Sequence, residues 1–127
     1  MIVLDASVLI ALFGRSDAHN ARSQRFFESH LLEGFVIHPL TLTELLVGGA
    51  RLGKLNQLDR DIRAMGVEVS QPDLGEPLLL AEIRSVTGLK LPDCCVLVTA
   101  LQLAAPLFTF DEQLARVALS QGLTLAV

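Results

Sequence analysis

Four acidic residues stand where the chain changes character. Asp5 ends an apolar, β-branched run, Met1-Ile2-Val3-Leu4, and is followed by a small residue and a hydroxyl, Ala6-Ser7. Glu44 lies in a leucine-rich segment beside Leu42, Leu45 and Leu46. Asp93 follows Leu91-Pro92, and Asp111 follows Leu107-Phe108-Thr109-Phe110. Taken singly, Asp93 and Asp111 read as ordinary helix caps, Glu44 as a solvated helix residue, and Asp5 with Ser7 as the end of a strand and the start of a helix. Taken together they read differently. Carboxylates gathered at close range repel, so some hold protons or the group recruits a divalent cation. An all-oxygen set with open positions suits Mg²⁺ or Mn²⁺ rather than zinc, and leaves room for a phosphate and a water. Neither Glu44 nor Asp111 has a lysine or arginine within one helical turn. The opposing charge must therefore come from elsewhere in the fold or from a metal.

Other reactive residue types offer less. His19, His30 and His38 have no Ser/Asp or Cys partner by position, so a nucleophilic triad is not expected. Cys94 and Cys95 are adjacent, which does not suit an intrachain disulfide, and no Cys/His set has zinc spacing. They read as small buried apolar residues.

The elements that must position these acids alternate between strand and helix. Strands are expected at Ile2–Leu4, at Phe35–His38 ended by Pro39, at Val67–Val69, at Pro106–Phe110 and at Leu123–Val127. Helices are expected over Val8–Phe13, Asp17–Leu32, from Thr41 or Thr43 to about Leu52, over Lys54–Met65, Gly75–Val86, Cys94–Ala104 and Asp111–Gln121. Cys94–Ala104 is apolar on nearly every side and reads as a core helix. This alternation predicts a three-layer α/β/α sandwich around a mostly parallel sheet of four or five strands. Residues 1–127 form a single domain in this reading, near the commonest domain size. In such a sheet, right-handed crossovers bring the strand ends carrying Asp5 and Asp111 to one edge. Chemistry collects at that edge, and Glu44 and Asp93, early in their helices, can face it.

Composition excludes some classes. The chain is 51% hydrophobic and 19% charged. Its longest uncharged run, Cys94 to Phe110, contains Gln102 and Pro106, so a membrane span is not expected. The N-terminus lacks a basic stretch and reaches Asp5 too early for a signal peptide, which predicts a cytoplasmic protein. Net charge is −4, but setting aside the four site acids leaves ten acidic residues against ten basic ones. Eight of those basic residues are arginines, and most lie in the first half, so a phosphate-facing surface is compatible with the balance. There is no Trp or Tyr, and the six Phe fall mostly in apolar runs. Capture of a nucleic acid by arginines, through backbone and shape, is expected over base stacking.

The segments Val3-Leu4-Asp5-Ala6-Ser7, Thr43-Glu44-Leu45, Leu91-Pro92-Asp93 and Thr109-Phe110-Asp111 resemble the four acidic motifs of PIN-domain ribonucleases. The short length and helix pattern are similar to the VapC toxins of toxin–antitoxin pairs, and the resemblance covers essentially the whole chain. It implies a PIN-like fold and Mg²⁺- or Mn²⁺-dependent cleavage of RNA phosphodiesters. It also implies a homodimer and inhibition by a cognate antitoxin protein. Carried over by position, Asp5, Glu44, Asp93 and Asp111 are the catalytic acids, with Asp5, Asp93 and Asp111 holding metal. Ser7 and Thr109 are the accompanying hydroxyls. Two departures stand out. Glu112 follows Asp111 and competes with it for the fourth position. Cys94-Cys95 follows Asp93 where a small residue such as alanine is more usual, which adds a sensitivity to oxidation. The rival readings are a non-catalytic PIN-like binding or dimerisation module and a phosphotransfer-type α/β domain. The latter would want a second Asp near Asp5, where Ser7 stands, and a lysine at a late strand end. No glycine-rich loop follows a strand, which argues against a nucleotide-binding Rossmann domain.

Overall fold

A computed structural model describes residues 1–127. The elements in chain order are β1 (Ile2–Leu4), α1 (Ala6–Phe13), α2 (Asn20–Ser29), β2 (Phe35–Ile37), α3 (Pro39–Arg51), α4 (Leu55–Ala64), β3 (Val67–Val69), α5 (Glu76–Thr87), α6 (Leu91–Leu103), β4 (Leu107–Phe108) and α7 (Glu112–Ser120). The sheet has the order β3-β2-β1-β4, and every pairing is parallel. All four strands therefore end on the same edge. β1 is central, so Asp5 emerges from the middle of that edge.

Strand residues alternate between the two faces, as the period-two geometry requires. Ile2, Leu4, Phe35, Ile37, Val67 and Phe108 face a core closed by α1, α2, α3 and α4. Val3, Val36 and Leu107 face a second core closed by α5, α6 and α7. The three layers expected from the alternating elements are present. In α6 every residue from Cys94 to Ala100 is buried, which explains why this segment lacks a polar face. No single helix is long and apolar enough to cross a membrane.

Several element boundaries differ from expectation, each for a local reason. Helix α3 starts at Pro39 rather than at Thr41 or Thr43. His38 Nδ1 accepts the Leu40 N–H at 2.9 Å, and Pro39 takes the first helical position, where its missing N–H costs nothing. Helix α2 starts at Asn20 rather than Asp17, because Asp17 instead accepts the His19 N–H in a preceding turn. The strand expected over Pro106–Phe110 keeps ladder pairing only at Leu107 and Phe108, since Thr109 turns toward Asp5. The last expected strand, Leu123–Val127, shrinks to one parallel bridge between Leu125 and Leu107.

Candidate active site

The four acids converge by four different routes. Asp5 leaves the central strand and caps α1, its side chain accepting from the Val8 N–H. Asp111 leaves β4 and caps α7, accepting from the Leu114 N–H at 3.0 Å. Asp93 lies in the first turn of α6, and Glu44 in the second turn of α3. Helices α3 and α6 touch each other, which carries Glu44 toward Asp93. The capping roles open to Asp5 and Asp111 are thus real, whereas Asp93 lies inside the first turn of α6 and caps nothing, Lys90 holding the cap position without a side-chain bond. The two caps coexist with the cluster, because each fixes its carboxylate at a helix start on the same sheet edge.

Asp5 is the anchor of the site, with 5% of its surface exposed. Its Oδ1 accepts the Ser7 hydroxyl at 2.6 Å, and its Oδ2 accepts the Thr109 hydroxyl at 2.5 Å. Each hydroxyl has one proton, and both are spent on Asp5. Ser7 Oγ in turn accepts the Phe110 N–H at 3.3 Å, and Thr109 Oγ1 accepts the Asp111 N–H at 2.9 Å. The two expected hydroxyls therefore stitch the β1–α1 junction to the β4–α7 junction and aim Asp5.

Electrostatics report the same convergence. Burial pushes the Asp5 carboxyl above its ordinary value; donation from Ser7, Thr109 and Val8 pulls it back, and Asp111 pushes it further up. Asp93 is raised first by burial, then by the charges of Asp111 and Asp5, with Lys90 opposing. Glu44 is exposed, yet burial of part of its carboxyl raises it, and Asp93 and Asp5 add to the rise. Glu112 is exposed on α7 and contributes to none of these shifts, so Asp111 is the acid that meets Asp5 and Asp93. A set of oxygen donors whose members raise one another is chemically matched to a hard divalent cation, which would relieve the repulsion.

The structure also assembles groups that spacing did not reveal. His38, which has no Ser/Asp or Cys partner by sequence position, lies against Glu76, with Nε2 and Oε1 2.6 Å apart and both residues buried. Cys95 completes a trio whose polar atoms lie within 4.8 Å of one another. Because Nδ1 accepts from Leu40, the hydrogen-bond pattern puts the ring proton on Nε2, facing Glu76. That proton occupies the lone pair a metal would need, so the trio acts as a bracket between α3, α5 and α6. Burial, followed by Glu76, Cys94 and Glu44, pushes the Cys95 thiol up to about 11. Cys94 is raised for the same first reason. Both thiols are buried and disfavour the reactive thiolate, which removes the sensitivity to oxidation expected from their position beside Asp93.

A second unexpected group flanks the carboxylates. His19 stacks on half-buried Phe110, with centroids 4.3 Å apart and planes 12° apart. The Arg22 guanidinium lies 5.2 Å from the Phe110 centroid and 5.9 Å from that of Phe108. Phe110 is therefore not simply part of an apolar run, and aromatic contact at the site edge was underestimated from the sequence.

The PIN domain family model matches residues 2–119. No curated protein matches the chain by sequence. Among solved structures, the fold is similar to FitAcB from Neisseria gonorrhoeae, at 22% identity over 100% of this chain and 97% of that chain, with a TM-score of 0.74. It is similar to VapBC2 from Rickettsia felis bound to a DNA fragment from their promoter, at 18% identity over 99% and 98% of the two chains, with a TM-score of 0.76. It is also similar to VapC20 from Mycobacterium tuberculosis, a Sarcin-Ricin loop cleaving toxin, at 14% identity over 92% and 95%, with a TM-score of 0.74. With its family match spanning all four acids and all four strands, this chain belongs to the PIN domain family.

Proposed function

We propose that the chain, as one unit over residues 1–127, is a metal-dependent endoribonuclease acting as the toxin of a toxin–antitoxin pair. The observation that carries this reading is the meeting of Asp5, Glu44, Asp93 and Asp111, with three of them held above their ordinary carboxyl values. Structural similarity to proteins described as toxins, one of them a cleaver of the Sarcin-Ricin loop, supports the substrate class and the biological setting. On this reading the partners are RNA, a cognate antitoxin protein and a second copy of the chain as a homodimer. The site of action is the cytoplasm.

Asp5, Asp93 and Asp111 would hold Mg²⁺ or Mn²⁺. Such an ion supplies positive charge against the scissile phosphate and makes a bound water more acidic. The chain's own work is positioning. Ser7 and Thr109 hold both Asp5 oxygens, so its carboxylate does not rotate when substrate arrives. Asp111 is fixed by its cap to Leu114. Glu44, the exposed member, orients the attacking water and takes up its proton. No Ser, Cys or His nucleophile is required.

The test is incubation of purified protein with total cellular RNA in Mg²⁺ or Mn²⁺ and in excess EDTA, with analysis of the cut ends. Metal-dependent cuts leaving no cyclic phosphate are expected, since attack by water does not use the 2′-hydroxyl. Cuts that persist in EDTA, or that leave cyclic phosphates, would overturn the mechanism. Folded protein that cuts nothing would overturn the function.

A further inference from the structure

One face of α2 runs away from the carboxylates and carries Arg22, Arg25 and Ser29, with His19 and His30 flanking the helix at its two ends. Between this face and β4 lies a groove of about 320 Å³, lined by Arg22, Arg25, Ser29 and His30 and floored by Phe26 stacked on Phe108. Both arginines are exposed, and neither forms a salt bridge. Phe110 joins the groove to the site. Its N–H bonds Ser7, its neighbours are Thr109 and Asp111, and its ring stacks on His19 beside Arg22.

We propose that this face is the track for an unpaired stretch of RNA entering the carboxylate site, with Arg22 and Arg25 on phosphates and a base stacked on the exposed side of His19. This rests on the ribonuclease reading above and adds where the strand lies. Three features carry it. Two unpaired guanidiniums lie on the face that Phe110 joins to the acids, so an anion approaching the acids along this face is attracted by both. Arg22 is held over aromatic faces, which fixes its plane while leaving the in-plane N–H donors free for phosphate oxygens. His19 is exposed and already stacked on Phe110, so a base placed on its outer face extends a stack anchored next to Asp111. A duplex hides its base faces, so the stacking element selects unpaired RNA.

The test measures binding of a labelled single-stranded RNA and of the same sequence as a duplex, in excess EDTA so that nothing is cut. It compares the wild type with Arg22→Ala, Arg25→Ala and His19→Ala. Arg60→Ala removes the same charge from α4, which packs on β3 at the opposite edge of the sheet, and serves as the control. Each track arginine variant is expected to weaken single-strand binding by about tenfold and to flatten its salt dependence by about 0.7 per lost phosphate contact. His19→Ala is expected to weaken it by about tenfold with the salt dependence unchanged, and Arg60→Ala to change neither. Duplex and single strand binding equally well, or track variants matching Arg60→Ala, would overturn the track. Cleavage by wild type in Mg²⁺, run beside the binding, separates the two claims. Wild type that cuts RNA while the track variants bind normally refutes the track alone, and wild type that binds along the track without cutting refutes the nuclease alone.

Discussion

At the scale of single residues, the site is built from carboxylates that the fold makes harder to ionise. Asp93 is raised by burial and by the charges of Asp111 and Asp5, so the folded chain holds its proton more tightly than the unfolded chain does. For such a group folding loses stability as pH rises through the folded value, and the loss vanishes below the ordinary 3.8. In EDTA at neutral pH, Asp93→Asn should therefore melt a few degrees higher than wild type. The margin should close as pH falls toward 3.8. Thermal unfolding of both proteins across this range checks it, and a variant no more stable at neutral pH would contradict it. Thr109→Val removes one of the two hydroxyls that hold Asp5. The expected result is about 2 kcal/mol of lost stability from the missing charge-assisted bond and metal affinity weaker by about tenfold to a hundredfold. Unfolding in urea and a Mn²⁺ titration read the two effects separately. Three of the acids, Asp5, Asp93 and Asp111, were legible in the sequence because each ends a strand or opens a helix, where type and position coincide. Glu44 was legible as a charge among leucines and through the resemblance of Thr43-Glu44-Leu45 to a PIN motif.

Between elements, the bracket of His38 and Glu76 decides how α3 sits. His38 ends β2, caps α3 through Nδ1 and meets Glu76 at the start of α5 through Nε2. His38→Ala removes the cap and strands a buried carboxylate, at a cost of about 3 kcal/mol or more. Adding Glu76→Gln to that variant should recover part of the loss, because the stranded group is then uncharged. A double-mutant cycle by urea unfolding reads the coupling, and strictly additive losses would contradict it. Nothing in the sequence pointed to this pair. The two residues are far apart in the chain, belong to no motif spacing, and meet only because α5 starts beside the end of β2. The same holds for His19 and Phe110, whose stack arises where the turn before α2 reaches the β4–α7 junction. By contrast, the order of strands and helices was legible, because hydrophobic period and stop signals agree in nearly every segment. Three of the misplaced boundaries share one cause. At Pro39, Asp17 and Thr109, a side chain bonding the backbone or a distant carboxylate outweighs the local propensity.

Across the whole molecule, a parallel sheet with β1 in the middle gives one edge where every strand ends, and the four acids meet there. Two cores on opposite faces of that sheet make it rigid, so the carboxylates are held close despite their repulsion. The net charge of −4 arises from these four acids, the rest of the chain being balanced. A divalent ion at the cluster would therefore cancel part of that negative charge and weaken the repulsion that RNA meets at this edge. The most direct test of the central claim is a Mn²⁺ titration of wild type, Asp5→Asn and Asp93→Asn, in which bound metal and RNA cleavage are read on the same samples. Cleavage by wild type should rise in step with metal occupancy. Both variants, folded by circular dichroism, should lose tight metal binding and cleavage together. Variants that still cut RNA, or wild-type cleavage that proceeds with no metal bound, would contradict the account.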